Sequence, residues 1–317
     1  MIPYCKPEIL LSGEDESVIV EIIESGMFCL GEYSKEISEY FKDVCRVQYA
    51  IPCCNATNGL IIALRSTGIT NKYVAMPSFT WGSTLYASDL NNNSAVFIDI
   101  KQDKWTIDET KIPPMAQAVI AVDTFGVDSF IETKLPIIYD AAHAYCIDNL
   151  GNRGLAEVVS FSFTKRATAM QGGVILTNNR KIAEEAEELV KLSAKITEVN
   201  AYILFKSLET YYTRLADSVF AIQEYKKYIK VPFTTQKVPK DWNHSVFGIL
   251  LDSTEKRNRC SNRLLSAGYE IKSYYKPLYR DKYLTVTNDV YDRILCLPVT
   301  KHIFPYIKKI AEIINNS

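Results

Sequence analysis

A single lysine lies between two apolar runs of the sequence, where a lysine can act as a nucleophile. One run ends at Ser160-Phe161, Lys165 follows a short hydroxyl-rich turn, and Gly172-Gly173 opens the next run. A lysine that is held on such a frame and partly desolvated loses its proton near neutral pH. Its neutral amine can then attack a carbonyl carbon to form a Schiff base. The alternative is an ordinary surface lysine in a hairpin loop.

Three further side chains that could take part in a reaction or bind a ligand come soon after predicted strands. Asp140 closes the apolar run 135–140, the alanines around His143 leave room for a ligand, and Trp81 follows the run 73–77 and a short turn. Each has a structural alternative. Asp140 can be a turn or cap residue, His143 a half-buried hydrogen-bonded histidine, and Trp81 a core residue.

A strand, a small polar turn and a helix succeed one another over residues 47–65. Because the first N–H groups of a helix have no partner within the helix, such a turn is a seat for an anion such as phosphate, and Thr57 adds a hydroxyl. Neither a G-x-G-x-x-G nor a Walker pattern is present, so Thr57 can also be no more than a helix cap.

The elements that must position these residues alternate between strand and helix. Short, almost wholly apolar strands separated by helical or loop segments predict a mainly parallel central sheet with helices on both faces. In such sheets ligands bind beyond the carboxyl ends of the strands. We therefore expect six side chains to converge there: Thr57, Trp81, Asp140, His143, Ser160 and Lys165.

Composition limits the remaining classes of function. The 317 residues carry 36 Lys+Arg and 37 Asp+Glu, and this net charge of -1 gives no global field for nucleic acid or a membrane surface. The eight cysteines show neither C-x-x-C pairing nor histidine at ligand spacing, so we expect no metal and no disulfide scaffold. Apolar runs are too short to span a bilayer, and the start of the sequence resembles no leader, so the expected compartment is the reducing cytoplasm.

The chain resembles the pyridoxal-phosphate-dependent sugar aminotransferases of the DegT/DnrJ/EryC1/StrS group, within fold type I. The most specific part is the lysine stretch, in which Ser160-Phe161, Thr164-Lys165 and Gly172-Gly173 keep the spacing of the group. Four more patterns match in the same order, namely Ser25-Gly26 to Gly31, Pro77-Ser78-Phe79-Thr80, Tyr139-Asp140-Ala141-Ala142-His143-Ala144 and Tyr275-Lys276-Pro277-Leu278.

This resemblance implies a role for each candidate residue. Lys165 would carry pyridoxal 5'-phosphate as a Schiff base and then shuttle protons, while Asp140 would keep the pyridine nitrogen protonated. Trp81 would stack on the ring and His143 would lie beside its face or its 3-hydroxyl. The phosphate would be held by the following groups: Thr57, the N–H groups of Ala56 to Asn58, and Ser160.

The resemblance also implies the reaction and the assembly. Glutamate would leave its amino group on the cofactor, and a nucleotide-diphosphate-linked keto-sugar would collect it. The product would serve a surface glycan, such as lipopolysaccharide or O-antigen, or a secondary metabolite. The group builds its sites from two subunits, so we expect a homodimer, with the apolar loop Gly26 to Gly31 crossing the interface.

Departures from the group's pattern concentrate around the predicted pocket. Ser162-Phe163 and Met170-Gln171 replace frequent residues beside the lysine. Residues 181–240 lack the Asn-x-Arg-Met-Ser-Glu-like segment whose asparagine reaches the partner's phosphate, and no replacement for it is assigned. Two alternatives follow: a binding or regulatory relative without transaminase activity, or another fold type I enzyme such as a lyase or desulfurase.

The predicted organisation has three parts. Residues 1–190 form the large cofactor-binding domain, 191–240 the connecting helices and linker, and 241–317 a small C-terminal α/β domain. Periodicity predicts one long helix over 201–228, strands over 246–251 and 269–273, and a closing helix over 303–314. Tyr274, Tyr275 and Tyr279 either line a sugar or base pocket or pack in the core.

Overall fold

The computed structural model describes residues 1–7, 9, 11–240 and 242–317. Two helices open the fold, α1 (Gly13–Ser25) and α2 (Glu32–Cys45). Helix α1 begins with a capping box in which Ser12 accepts from the N–H of Asp15 and the Asp15 carboxylate accepts from the N–H of Ser12. This reciprocal pair satisfies two backbone donors that would otherwise have no partner.

A seven-stranded sheet forms the centre of the molecule, as the sequence predicts. Its strands are β1 (Tyr49–Cys53), β2 (Tyr73–Pro77), β3 (Ser94–Ile98), β4 (Ala118–Val122), β5 (Ile137–Asp140), β6 (Ala156–Ser160) and β7 (Gly173–Thr177). They lie in the order β1-β7-β6-β5-β4-β2-β3, and only the pairings that involve β7 are antiparallel. The mainly parallel α/β architecture is therefore confirmed.

Helices cover both faces of this sheet, because its strands are apolar on both sides. Val158 and Ile175 face one layer, formed by α3 (Ala56–Ser66) and α5 (Arg180–Ser193). Their neighbours Val159 and Val174 face the other layer, formed by α2 and α6 (Glu198–Glu209). Helix α4 (Gly82–Leu90) packs beside α3.

The last third of the chain builds a smaller α/β unit. A three-stranded antiparallel sheet, in the order β10-β9-β8, contains β8 (Thr234–Thr235), β9 (Phe247–Leu250) and β10 (Ile294–Leu297). The helices of this part are α7 (Tyr211–Tyr228), α8 (Thr254–Ser266), α9 (Thr285–Arg293) and α10 (Ile307–Asn315). Helix α7 packs on α10, and α6 packs on α2. The domain boundaries at 190 and 240 stay a prediction.

Three predicted elements differ from the structure. The long helix over 201–228 is two helices, because α6 ends where Thr210 leaves helical geometry. The prediction of a strand over 269–273 is wrong. This segment forms isolated β-bridges, Tyr269 with Ile2 and Lys272 with Cys296, instead of a continuous ladder. The closing helix begins later than predicted, because Pro305 lacks an N–H and lies in a 3-10 turn before α10.

None of the helices in the described part of the chain combines the length and the apolar character that crossing a lipid bilayer requires.

Candidate active site

The carboxyl ends of three strands meet at one edge of the central sheet. Cys53 at the end of β1 and Ser160 at the end of β6 both lie opposite Gly173, the first residue of β7. Asp140 ends β5, and Lys165 lies in the loop between β6 and β7. The predicted position of the lysine between two strands is therefore confirmed.

Lys165 is half-buried, and its amino group points inward to His143. Its Nζ lies 2.7 Å from Nε2 of His143. Burial lowers the pKa of Lys165 to about 7, and the negative charge of Asp140 only partly opposes this shift. Since the ordinary pKa of lysine is about 10.4, a substantial fraction of neutral amine exists at neutral pH. This is the form that attacks a carbonyl carbon.

His143 is surrounded by hydrogen-bonding groups. Its Nε2 lies 2.9 Å from the Tyr275 hydroxyl, in addition to its contact with Lys165, and its Nδ1 lies 3.2 Å from Oγ of Ser245. Burial, together with the positive charges of Lys165 and Arg166, holds the pKa of His143 well below its usual value. The imidazole is therefore neutral near pH 7.

Asp140 is a buried carboxylate with two partners. Oδ2 accepts from the Thr84 hydroxyl at 2.7 Å, and Oδ1 accepts from the Ala142 N–H at 3.2 Å. Burial raises the pKa of Asp140, although both hydrogen bonds and the charge of Lys165 oppose the increase. A carboxylate in this environment favours a cationic ligand atom nearby, because such an atom would neutralise its buried charge.

The start of α3 forms a potential anion-binding site at the same edge of the sheet. Asn55 caps the helix by accepting from the N–H of Asn58. Gly173 keeps the space beside the helix open, because a Cβ there would come within 2.8 Å of the Ala56 nitrogen. Thr57 is half-buried, and Ser160 lies directly across from Gly173. The predicted phosphate-binding residues are thus brought together.

Trp81 presents an aromatic surface to solvent. It is the residue before α4 and is 61% exposed, which is unusual for a tryptophan. The rings of Tyr274 and Tyr275 meet the indole edge-on, with centroids 6.4 and 6.5 Å away. The core alternative for Trp81 is therefore wrong, and the indole is available for stacking.

Several site residues were not identified from the sequence. Thr84, Asn243 and Ser245 contact Asp140 or His143, but single hydroxyl or amide residues in a sequence carry no signal of their own. Tyr275 was left between a pocket and the core; it is buried, as in the core alternative, and its hydroxyl lies 2.9 Å from Nε2 of His143. Its place in the pattern Tyr275-Lys276-Pro277-Leu278 was the available signal.

Glu198 is a further buried residue that the sequence did not reveal. Its carboxylate accepts from the N–H groups of Gly31, Tyr33 and Ser34 at the start of α2. The N–H of Glu198 in turn donates to the carbonyl of Phe28. The glycine-bracketed apolar loop 26–31 is thereby fixed on the start of α6.

Comparisons with known proteins identify the group to which this arrangement is similar. The model of the DegT/DnrJ/EryC1/StrS aminotransferase family matches residues 11–315. The fold resembles DesI, crystallised in the presence of its TDP-sugar product, with a TM-score of 0.87 and 22% identity over 98% of this chain and 91% of that chain.

Two further solved structures share the fold. PseC of Helicobacter pylori, an aminotransferase of pseudoaminic acid biosynthesis, gives a TM-score of 0.85 at 19% identity, with 98% of both chains covered. NtdA of Bacillus subtilis with its bound cofactor PMP gives a TM-score of 0.84 at 19% identity, over 100% of this chain and 85% of that chain. At these identities the likeness concerns the fold alone.

Proposed function

The chain belongs to the DegT/DnrJ/EryC1/StrS aminotransferase family, and we propose that it transfers an amino group from glutamate to a nucleotide-diphosphate-linked keto-sugar. Its cofactor as a member of this family is pyridoxal 5'-phosphate. The observation that carries the proposal is Lys165, whose pKa burial lowers to about 7, in a cluster with His143 and Asp140.

The residues at the sheet edge fit this cofactor. The amine of Lys165 can react with the aldehyde group of the cofactor, and the carboxylate of Asp140 can pair with its protonated ring nitrogen. The N–H groups at the start of α3, with Thr57 and Ser160, match a phosphate, and Gly173 leaves the space beside them open. The exposed face of Trp81 matches a flat ring.

When bound, the cofactor supplies a carbonyl group for the amine and a ring that takes up electrons. Lys165 would hold the cofactor covalently, and once displaced by the amine substrate its Nζ would take the proton from the amine-bearing carbon and deliver it to the former carbonyl carbon of the cofactor. The carboxylate of Asp140 would keep the ring nitrogen protonated, since its own charge is buried and hydrogen-bonded. His143 holds Nζ of Lys165 in place between these steps.

The acceptor is a nucleotide sugar in this proposal because of the family and its solved members. DesI was crystallised in the presence of a TDP-sugar product, and PseC serves the biosynthesis of pseudoaminic acid. We infer an acceptor of the same chemical class here, for a surface polysaccharide or a secondary metabolite. Unpaired cysteines such as Cys45, Cys53 and Cys296 fit a reducing compartment, for which we infer the cytoplasm.

We further propose a homodimer with shared active sites. In the loop 26–31, which Glu198 fixes in place, three apolar side chains are exposed: Met27 by 56%, Phe28 by 57% and Leu30 by 44%. A rigid apolar loop in water is costly, whereas a partner subunit would cover it.

The test follows the cofactor spectrum. The purified protein with pyridoxal 5'-phosphate should show the visible absorbance of a lysine-bound cofactor, and glutamate should convert it to the amine form. The Lys165→Ala variant should lack that absorbance and be inactive. The proposal is wrong if neither glutamate nor another amino acid discharges the cofactor. Loss of a substituent without amino transfer would instead identify a lyase.

A further inference from the structure

Residues 242–246, which we call the strap, lead into β9 and contact His143 at two points. Asn243 Nδ2 donates to the carbonyls of His143 and Tyr145, and Ser245 Oγ meets the imidazole Nδ1 at 3.2 Å. Trp242 anchors the beginning of the strap by donating from its indole N–H to the Phe125 carbonyl at 2.8 Å. The small unit is thereby attached to the loop that follows Asp140.

The position of Asn243 depends on a glycine in a neighbouring loop. Gly126 has a φ of +81°, and a Cβ there would lie 2.2 Å from Oδ1 of Asn243. The same Oδ1 accepts from the N–H of Ser245 at 3.1 Å, so Asn243 also sets the direction of Ser245. The strap is therefore fitted closely against the segment that carries His143.

The two neighbours of Nε2 determine which nitrogen of His143 carries the proton. Burial raises the pKa of Tyr275 well above its ordinary value, so its hydroxyl stays protonated and can donate to Nε2. Below its pKa of about 7 Lys165 is an ammonium, which has no lone pair and is therefore a donor as well. A nitrogen that faces two donors must hold the lone pair. The proton of the neutral imidazole therefore lies on Nδ1.

Nδ1–H requires an acceptor, since an unpaired buried donor is costly. In the described part of the chain, the partner that meets Nδ1 is the hydroxyl oxygen of Ser245. We propose that Ser245 is a positioning residue: by accepting from Nδ1–H it keeps the lone pair of Nε2 towards Lys165. The inference rests on the proposed function, in which Lys165 is released from the cofactor in each half-reaction.

As a consequence, Nε2 of His143 gives the amino group of Lys165 a fixed hydrogen-bond partner once the lysine is released from the cofactor. The ammonium of Lys165 donates to Nε2 and keeps its own proton, so no bond is made or broken. Among the described residues, Asp140, Cys5 and Arg166 also face the lysine. The further charged or titratable groups around the same cavity are Tyr4, Lys6, Arg214, Asp217 and Lys301. Without Ser245 the imidazole is free to carry its proton on Nε2. An Nε2–H group repels the ammonium form of Lys165 and favours its neutral amine, which can accept that hydrogen.

The test uses the cofactor-free protein and the three histidines of the chain. Nitrogen-15 NMR of the imidazoles distinguishes the two neutral tautomers, and the His143→Gln variant assigns the signal of His143. Below pH 7, where Lys165 is mainly an ammonium, wild type should show the proton on Nδ1. Ser245→Ala should shift His143 towards the Nε2–H form, and Ser245→Thr should restore the wild-type tautomer, because the hydroxyl is kept. Ser218→Ala, which removes a buried hydroxyl that contacts Arg166 instead, should leave it unchanged.

A second readout follows the lysine. The pH dependence of Lys165 acylation in the cofactor-free protein should give a pKa that is lower in Ser245→Ala by about one unit, since the acceptor has become a donor. If Ser245→Ala does not fold, Ser245→Cys supplies the same comparison with a weak acceptor. An unchanged tautomer together with an unchanged lysine pKa would overturn the inference. The proposed transaminase activity does not enter either measurement, so its failure would be seen separately.

Discussion

Two charged clusters contact β5 of the central sheet, one at Tyr139 and one at Asp140, and the pKa values of their basic residues are shifted in opposite directions. In the first, Arg153 is 2% exposed and meets Asp123 at 2.7 Å and Asp128 at 2.6 Å, with Glu157 as a third carboxylate. Although burial lowers the pKa of Arg153, the charges of Asp123 and Glu157 raise it above its ordinary value. Every charge in this cluster has an opposite charge in contact.

In the second cluster, no carboxylate of the described residues forms an ion pair with the lysine. Lys165 meets the neutral imidazole of His143, and the carboxylate of Asp140 instead binds Thr84 and the Ala142 N–H. Burial is therefore only partly compensated, and the pKa of Lys165 falls to about 7. A fully paired cluster stabilises the fold, whereas an incompletely paired one makes a reactive amine available.

The largest expected effect is that of Asp140→Asn on catalysis. The amide keeps the shape of the side chain but not its charge, so amino transfer should fall by about 1000-fold, as when a key electrostatic group is removed from an active site. Steady-state kinetics with saturating cofactor measure this. Thermal stability should be retained, because no buried carboxylate then has to be desolvated.

Asp99→Asn is the matched control for that substitution. Asp99 is also buried, but it accepts from the N–H groups of Val286 and Thr287 at the start of α9. We expect lower stability with little change in turnover per folded molecule. If the Asp140→Asn variant turned over substrate as fast as the Asp99→Asn variant, the catalytic role assigned to the Lys165 cluster would be contradicted.

Next in size is the effect of Arg153→Met on stability. Removing the guanidinium leaves Asp123 and Glu157 buried without their counter-charge, which should cost about 3–5 kcal/mol of unfolding free energy. Urea denaturation measures the loss. Arg180→Met, which breaks an exposed pair with Glu184, should cost about 0.5 kcal/mol or less. Equal losses in the two variants would show that the first cluster does not depend on its pairing.

The smallest predicted effect concerns cofactor affinity. Trp81→Ala removes the exposed indole beside Tyr274, so the affinity for pyridoxal 5'-phosphate should fall about fivefold, in line with about 1 kcal/mol for an aromatic pair. Fluorescence titration of the cofactor-free protein measures this. Tyr73→Ala, at the first residue of β2 and 47% exposed, is the control that should bind normally. An equal loss in both variants would argue against stacking on Trp81.

The central sheet could be predicted from the sequence because its strands are continuous apolar runs. Runs such as 118–122 and 173–177 became strands buried on both faces, and the polar residues that follow the parallel strands met at one edge. The family resemblance, the aminotransferase class and the cofactor are confirmed by the family match. The individual roles of the site residues stay predictions.

The parts that could not be predicted depend on contacts between distant segments. Ser245 reaches His143 across a separation of 102 residues, and nothing in its local sequence marks that contact. Tyr275 lies in a recognisable pattern, but the pattern does not show that its hydroxyl meets His143, 132 residues away. The strand expected over 269–273 failed for a similar reason: alternation of apolar residues does not show whether a pairing partner lies alongside. The break at Thr210 was hidden because both helices continue the same apolar period.

The most direct test of the central claim is to locate the covalent bond to the cofactor. The protein is loaded with pyridoxal 5'-phosphate, reduced with borohydride to make the attachment permanent, digested and examined by mass spectrometry. The buried amine with the lowered pKa should carry the adduct, so a single modified lysine is expected, Lys165. An adduct on another lysine, or an unmodified Lys165 after reduction, would contradict the account.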